Sequence, residues 1–148
     1  MKFNYKLFTI YVLSFLYIIV GIKHFTNPNF FITIVPDIFT YKKELVFISG
    51  FFEILFGCFI LFKKLRMFGC WGLILLLIAV FPANIYLYVS DLPREILNIS
   101  KAQALIRLPF QIPLIFLAYW HSKDSFSNSY SITCGVLFIP TMIYFLSI

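Results

Sequence analysis

At 148 residues the chain has the length of one ordinary domain, but 61% of it is hydrophobic, 21% aromatic and only 12% charged. A soluble domain carries about 25% charged residues, so too little polar surface exists to face water and a single membrane-embedded domain is expected. The net charge of +6 does not point to nucleic acid, because the Lys and Arg residues sit in short clusters between apolar runs, as membrane topology determinants do.

Crossing a bilayer takes about 20 residues, with roughly 17–25 usual. The first candidate, Leu7–Ile22, lies between Lys6 and Lys23. It is slightly short, and snorkelling lysines and flanking tyrosines make up the difference. Its basic flank and apolar core resemble a signal peptide, yet "GIKHFTNP" follows instead of a small-x-small cleavage site, so a retained helix is expected. Next comes "KHFTNPNFFITIVPDIFTYKK", too polar at its ends to cross and too apolar in the middle to dissolve. An interfacial segment over Asn29–Phe39 is expected, folded onto one end of the bundle, with Pro28 and Pro36 limiting any helix to about two turns. A simple loop with buried aromatics is the alternative.

The second span is Leu45–Phe62, interrupted by Glu53, and a basic turn, Lys63-Lys64-Leu65-Arg66, follows it. The third, Met67–Ser90, contains no charge but includes Pro82 and Asn84. The fourth, Ala102–Trp120, is interrupted by Arg107 and carries Pro109 and Pro113. After the polar linker "SKDSFSNSYS" a final uncharged run, Ile132–Ile148, is long enough for a fifth helix kinked at Pro140, with a surface-lying or packed tail as the alternative. The expectation is an all-α membrane protein: a four-helix transmembrane bundle over residues 1–122, with an interfacial segment after its first helix, then a linker and fifth transmembrane helix over 123–148. Trp71, Trp120 and the tyrosines near span ends read as interfacial anchors.

With the N-terminus inside, inner segments carry Lys2, Lys6, Lys63, Lys64, Arg66 and Lys123 against Lys23, Lys42, Lys43, Arg94 and Lys101 outside. The compact inner turn favours that orientation. Cys58, Cys70 and Cys134 lie in apolar segments without a CxxC spacing. Cys58 and Cys70 flank the basic turn at similar depth, which allows a redox pair, but packing as small hydrophobes is the plainer reading. His24 and His121 are far apart and lack partners at ligand spacing, so no metal site is expected.

The polar residues within the spans converge on one half of the membrane. His24 lies where the first span exits. Glu53 is nine residues past Glu44, about 13 Å down its helix from that face. Asn84 is six residues before Ser90, about 9 Å below the same face, and Arg107 and Gln111 open the fourth helix. A charge at mid-bilayer costs about 2.5–3.5 kcal/mol on insertion scales, so Glu53 and Arg107 are expected to face each other, directly or through Asn84, Gln111 or water. A cavity beside them, open to the outer leaflet and lined by Phe52 and Phe56, would complete a small-molecule site. Simple hydrogen-bonding between helices is the competing reading for each of these residues.

Four stretches, "GIKHFTNPNFFITIVPDIF", "SGFFEILFG", "LLIAVFPANIYL" and "LIRLPFQIPLIFLAYW", together resemble the DoxX family of small bacterial membrane proteins. The resemblance runs from Tyr11 to Trp120 and implies a four-helix membrane bundle in the bacterial inner membrane, so the run Ile132–Ile148 departs from its pattern. It marks His24, Pro36, Glu53, Asn84, Arg107 and Gln111 as site positions. It also implies association with redox complexes, hence a quinone- or lipid-like ligand and a redox partner protein alongside membrane lipids. No flavin, haem or iron–sulfur signature is present, so no cofactor is expected and the chain would not transfer electrons alone. A binding or accessory subunit is the leading expectation. An enzyme using Glu53 as general acid or base, or a small proton-coupled transporter, are the alternatives.

Overall fold

The apolar runs fold as the periodicity requires, into helices and nothing else among the described residues. The structure, a computed structural model, describes residues 4–146. Lys2, and Ser147 and Ile148 at the end of the last apolar run, lie outside the described residues. In chain order the helices are α1 (Tyr5–Thr26), α2 (Pro28–Ile34), α3 (Lys42–Leu61), α4 (Arg66–Val89), α5 (Asp91–Leu97), α6 (Lys101–Ser122) and α7 (Asn128–Leu146). Helices α1, α3, α4 and α6 are long and apolar enough to cross a membrane. They form an antiparallel transmembrane bundle in which α3 packs on α1, α4 on α3, α6 on α4 and α7 on α6.

The ends are set by local chemistry. Asn4 caps α1 by accepting a hydrogen bond from the Leu7 amide at 3.1 Å. Ser100 and Gln103 form a reciprocal capping box at the start of α6. Between α5 and α6 the chain turns through Asn98 in the left-handed region, φ 53°, a conformation that asparagine tolerates better than most residues. Helix α5 was not expected: "DLPREIL" is short and polar, and its order comes from buried Arg94, which donates to the Leu87 and Tyr88 carbonyls at the end of α4.

Small residues bring α1 and α3 into backbone contact. A Cβ at Gly21 would stand 2.7 Å from the Gly50 carbonyl oxygen, and one at Gly50 would stand 2.5 Å from His24 Cβ. Gly57 lies against Ser14 and Ile18 in the same way. The buried face of α3 runs through Val46, Gly50, Glu53, Gly57 and Ile60. The main core lies between α1, α4, α6 and α7 and includes Leu13, Leu73, Leu117, Trp120 and Phe138.

One expectation changes here. Trp120 is not an interfacial anchor: it is buried, with its indole N–H donating to Ser131 Oγ at 3.3 Å, because α7 folds back over the end of α6. Trp71, by contrast, is exposed. Helix α7 also reaches α1, where Tyr5 donates to the Gly135 carbonyl at 2.8 Å and packs edge-on against Phe138. The three cysteines are free, Cys70 and Cys134 are buried and Cys58 is half-buried.

The interfacial segment is a short helix followed by a turn. Ile34 is buried against Leu87 and Ala104 at one end of the bundle, with Phe30 packed beside them. The turn after it is held by Asp37, which accepts from Lys42 Nζ at 2.5 Å and from the Tyr86 hydroxyl at 2.7 Å. This end is called the site end below. The opposite end, where α1 begins and α6 finishes, is called the basic end.

Candidate functional site

The five expected site residues all lie in the half of the bundle nearer the site end, but they divide into three local groups. The first joins α1, α2 and α3. His24 and Glu53 are both buried, and His24 Nδ1 lies 3.0 Å from Glu53 Oε2. The same nitrogen lies 2.9 Å from the Val20 carbonyl oxygen. A carbonyl can only accept, so Nδ1 carries a proton and directs it along the helix. Glu53 Oε2 therefore sits at ion-pair distance from the ring without receiving that hydrogen bond, and is a buried oxygen with no hydrogen-bond partner. Phe31 of α2 lies flat over the imidazole, with ring centroids 3.6 Å apart and planes at 21°.

Two further polar groups of α1 are buried with no partner, the Tyr17 hydroxyl and Ser14 Oγ; Tyr17 is within electrostatic reach of Glu53. Buried polar atoms left unpaired cost about 1–3 kcal/mol each, so the Glu53 oxygen and the Tyr17 hydroxyl, both unpaired and in reach of each other, mark a candidate for function over packing. Tyr17 and Ser14 were not singled out from the sequence. The signal was there: Ser14, Tyr17, Gly21 and His24 recur at helical spacing along one face of α1.

The second group joins α4 and α6. Asn84 Nδ2 donates to Gln111 Oε1 at 3.0 Å, and Gln111 Nε2 donates to the Leu77 carbonyl. Pro82, inside α4, has no N–H for the Ile78 carbonyl four residues earlier; the carbonyl that Gln111 reaches is that of Leu77, one residue before it. The Gln111 amide is thus held at both ends by α4, through the Leu77 backbone and the Asn84 side chain.

The third group holds Arg107, which is half-buried. Its guanidinium lies 5.5 Å from the centre of the Phe30 ring and bonds to Tyr144 of α7. The expected Glu53–Arg107 pair does not form. Glu53 projects from α3 towards α1, where the glycines allow close approach, whereas Arg107 projects from α6 towards α7 and α2. Similar depth does not bring the two together, because α4 packs between α3 and α6.

Adjacent residues of α2 connect the groups. Phe31 covers His24 while Phe30 lies under Arg107, and the two rings meet edge to face at 5.2 Å. Pro36, at the end of this segment, accepts the Phe39 amide through its carbonyl at 3.1 Å and shapes the turn that presents Asp37. Outside the membrane-spanning helices, the Lys42 ammonium and the Tyr86 hydroxyl hold the Asp37 carboxyl below its ordinary pKa.

Two cavities lie elsewhere: one of about 770 Å³ between α1, α6 and α7 at the basic end, and one of about 510 Å³ around α5. None of the five site residues lines either. A second buried histidine sits near the basic end. Thr9 Oγ1 donates to the Lys6 carbonyl at 2.8 Å, so it accepts from His121 Nε2 at 3.0 Å, leaving His121 Nδ1 buried as an unpartnered acceptor.

A family described as "Domain of unknown function (DUF8561)" matches residues 13–122, from within α1 to the end of α6 and without α7. No curated protein and no solved structure matches the chain.

Proposed function

We propose that this chain, which belongs to the DUF8561 family, binds a small amphipathic molecule of the quinol or lipid class at the His24–Glu53 pair. The supporting observation is the Glu53 carboxylate oxygen, buried in a membrane helix bundle and without a hydrogen-bond donor. In its carboxylate form Glu53 can only accept a hydrogen bond. The pair therefore suits a ligand bearing a hydroxyl, and disfavours one whose polar atoms are all carbonyl oxygens. A quinol meets that requirement and the corresponding quinone does not.

Phe31 supplies an aromatic cover for such a ring, and the apolar turn of α2 a surface that can lift to admit it from the bilayer. Asn84 and Gln111 fix α4 against α6, and Arg107 anchors α6 to α7 and α2. Their role is to hold the walls of the site. The resemblance of the His24, Glu53, Asn84 and Arg107 stretches to the DoxX family supports a redox-associated accessory subunit of a bacterial inner membrane, oriented with its basic end inside. Glu53 is also placed to take a proton from a bound hydroxyl, which is the form an enzymatic role would take.

Mass spectrometry of organic extracts from the purified protein tests this reading. A hydroxyl-bearing amphipathic molecule should co-purify near one per chain and be lost from Glu53→Gln protein. Recovery of bulk phospholipid alone, in the same amount from both proteins, would contradict it.

A further inference from the structure

The basic end holds a cavity remote from the His24–Glu53 pair. Its larger cavity, about 770 Å³, falls within the roughly 300–1,000 Å³ typical of ligand pockets. Lys6 and Trp120 form one side, Asn128 and Ser131 another, and Ile132 and Val136 continue along α7. The Lys6 ammonium donates to the Lys123 and Asp124 carbonyls at 2.6 and 3.5 Å. That uses two of its three N–H groups. It also sits 5.3 Å from the centres of the Trp120 and Phe126 rings, so its position is fixed by packing. Ser131 Oγ already accepts from Trp120, which leaves its hydroxyl hydrogen to donate. The Asn128 amide is exposed beside it.

Charge favours an anion here. The described residues at this end carry Lys6, Lys63, Lys64, Arg66 and Lys123 against Asp124 alone. At the site end, five basic side chains outside the spans meet four acidic ones. The apolar wall then indicates what the anion is attached to. Ile132 and Val136 are each 66% exposed and lie on the outward face of a helix packed against a membrane bundle, so they are positioned to meet an acyl chain rather than water. We infer that this cavity holds the headgroup of an anionic phospholipid, its phosphate on Lys6, Ser131 and Asn128 and one acyl chain along the Ile132–Val136 face of α7.

The test is native mass spectrometry of the full chain in detergent, with phosphatidylglycerol and phosphatidylcholine of equal chain length added at equal concentration. One phosphatidylglycerol should be retained per chain, about tenfold over phosphatidylcholine. Lys6→Gln should abolish the preference, while Lys64→Gln, which removes the same charge from an exposed position outside the cavity, should leave it. Val136→Trp keeps every charge and fills the acyl face. It should also lose the lipid, and it decides the matter if Lys6→Gln does not fold. Equal retention of both lipids, equal loss in Lys6→Gln and Lys64→Gln, or displacement of the lipid by millimolar inorganic phosphate would overturn the assignment.

Discussion

Replacing Gly50 by alanine links the bundle's tightest contact to its candidate site. The new methyl would stand 2.5 Å from His24 Cβ and 3.0 Å from the Gly21 carbonyl oxygen. Neither atom can rotate away, since a Cβ is fixed to its backbone and a helical carbonyl to its ladder. Carbon atoms pack at about 3.5–4.0 Å, so α1 must retreat from α3 by on the order of 1 Å. The His24–Glu53 separation, now 3.0 Å, would then open to about 4 Å, at the limit of an ion pair. Overpacking costs about 1–3 kcal/mol, and a 2.5 Å contact between two fixed carbons belongs in the upper part of that range, about 2–3 kcal/mol; the better helix propensity of alanine offsets about 1 kcal/mol of it. The net loss should be about 1–2 kcal/mol, roughly a 5- to 30-fold fall in the folded-to-unfolded ratio. Unfolding in detergent with added dodecyl sulfate, followed by circular dichroism, measures it. Gly135→Ala is the control: the same propensity gain, with only the Tyr5 ring at 3.2 Å to adjust. If Gly50→Ala matched the wild type or exceeded it, the close approach of α1 and α3 would be refuted.

Because Glu53 and Arg107 occupy separate groups, Glu53→Ala and Arg107→Ala should add in stability to within about 0.5 kcal/mol, whereas Glu53→Ala and His24→Ala should not add. A double-mutant cycle in the same assay measures both, and coupling of Glu53 to Arg107 would restore the pairing expected from the sequence. The Asp37 clasp should be pH-dependent. Its carboxyl is held below the ordinary value of 3.8 by Lys42 and Tyr86, so its contribution is present above about pH 4 and lost as pH falls through the lowered folded value. Hydrogen exchange in residues 36–41 should accelerate on acidification at higher pH in Tyr86→Phe than in the wild type. Identical profiles would show that the Tyr86 hydroxyl does not hold the turn.

The spans, the basic turn and the position of the interfacial segment were legible because hydrophobic run length and prolines act locally. The depth of the polar residues was legible too, since 1.5 Å per residue along a helix needs no tertiary information. Azimuth was not: which neighbour Glu53 or Arg107 faces depends on helix order and on the Gly21–Gly50 contact, which only the packed bundle reveals. Trp120 shows the same limit. At the end of an apolar run an anchoring tryptophan and one covered by a returning helix have the same sequence signature. Helix α5 was missed because its stabilisation is the non-local bonding of Arg94 to α4 rather than any periodicity of its own.

The most direct test is calorimetric titration of the protein in detergent with a short-chain benzoquinol, kept reduced, and with its benzoquinone. Binding of the quinol should saturate at one site and exceed that of the quinone, because the buried Glu53 oxygen lacks a donor that only the quinol supplies. A hydrogen bond to a charged group is worth about 1.5–3 kcal/mol, so Glu53→Gln should weaken quinol binding about tenfold or more. Lipid-like partitioning without saturation, or quinol binding unchanged by Glu53→Gln, would contradict a ligand site at the His24–Glu53 pair.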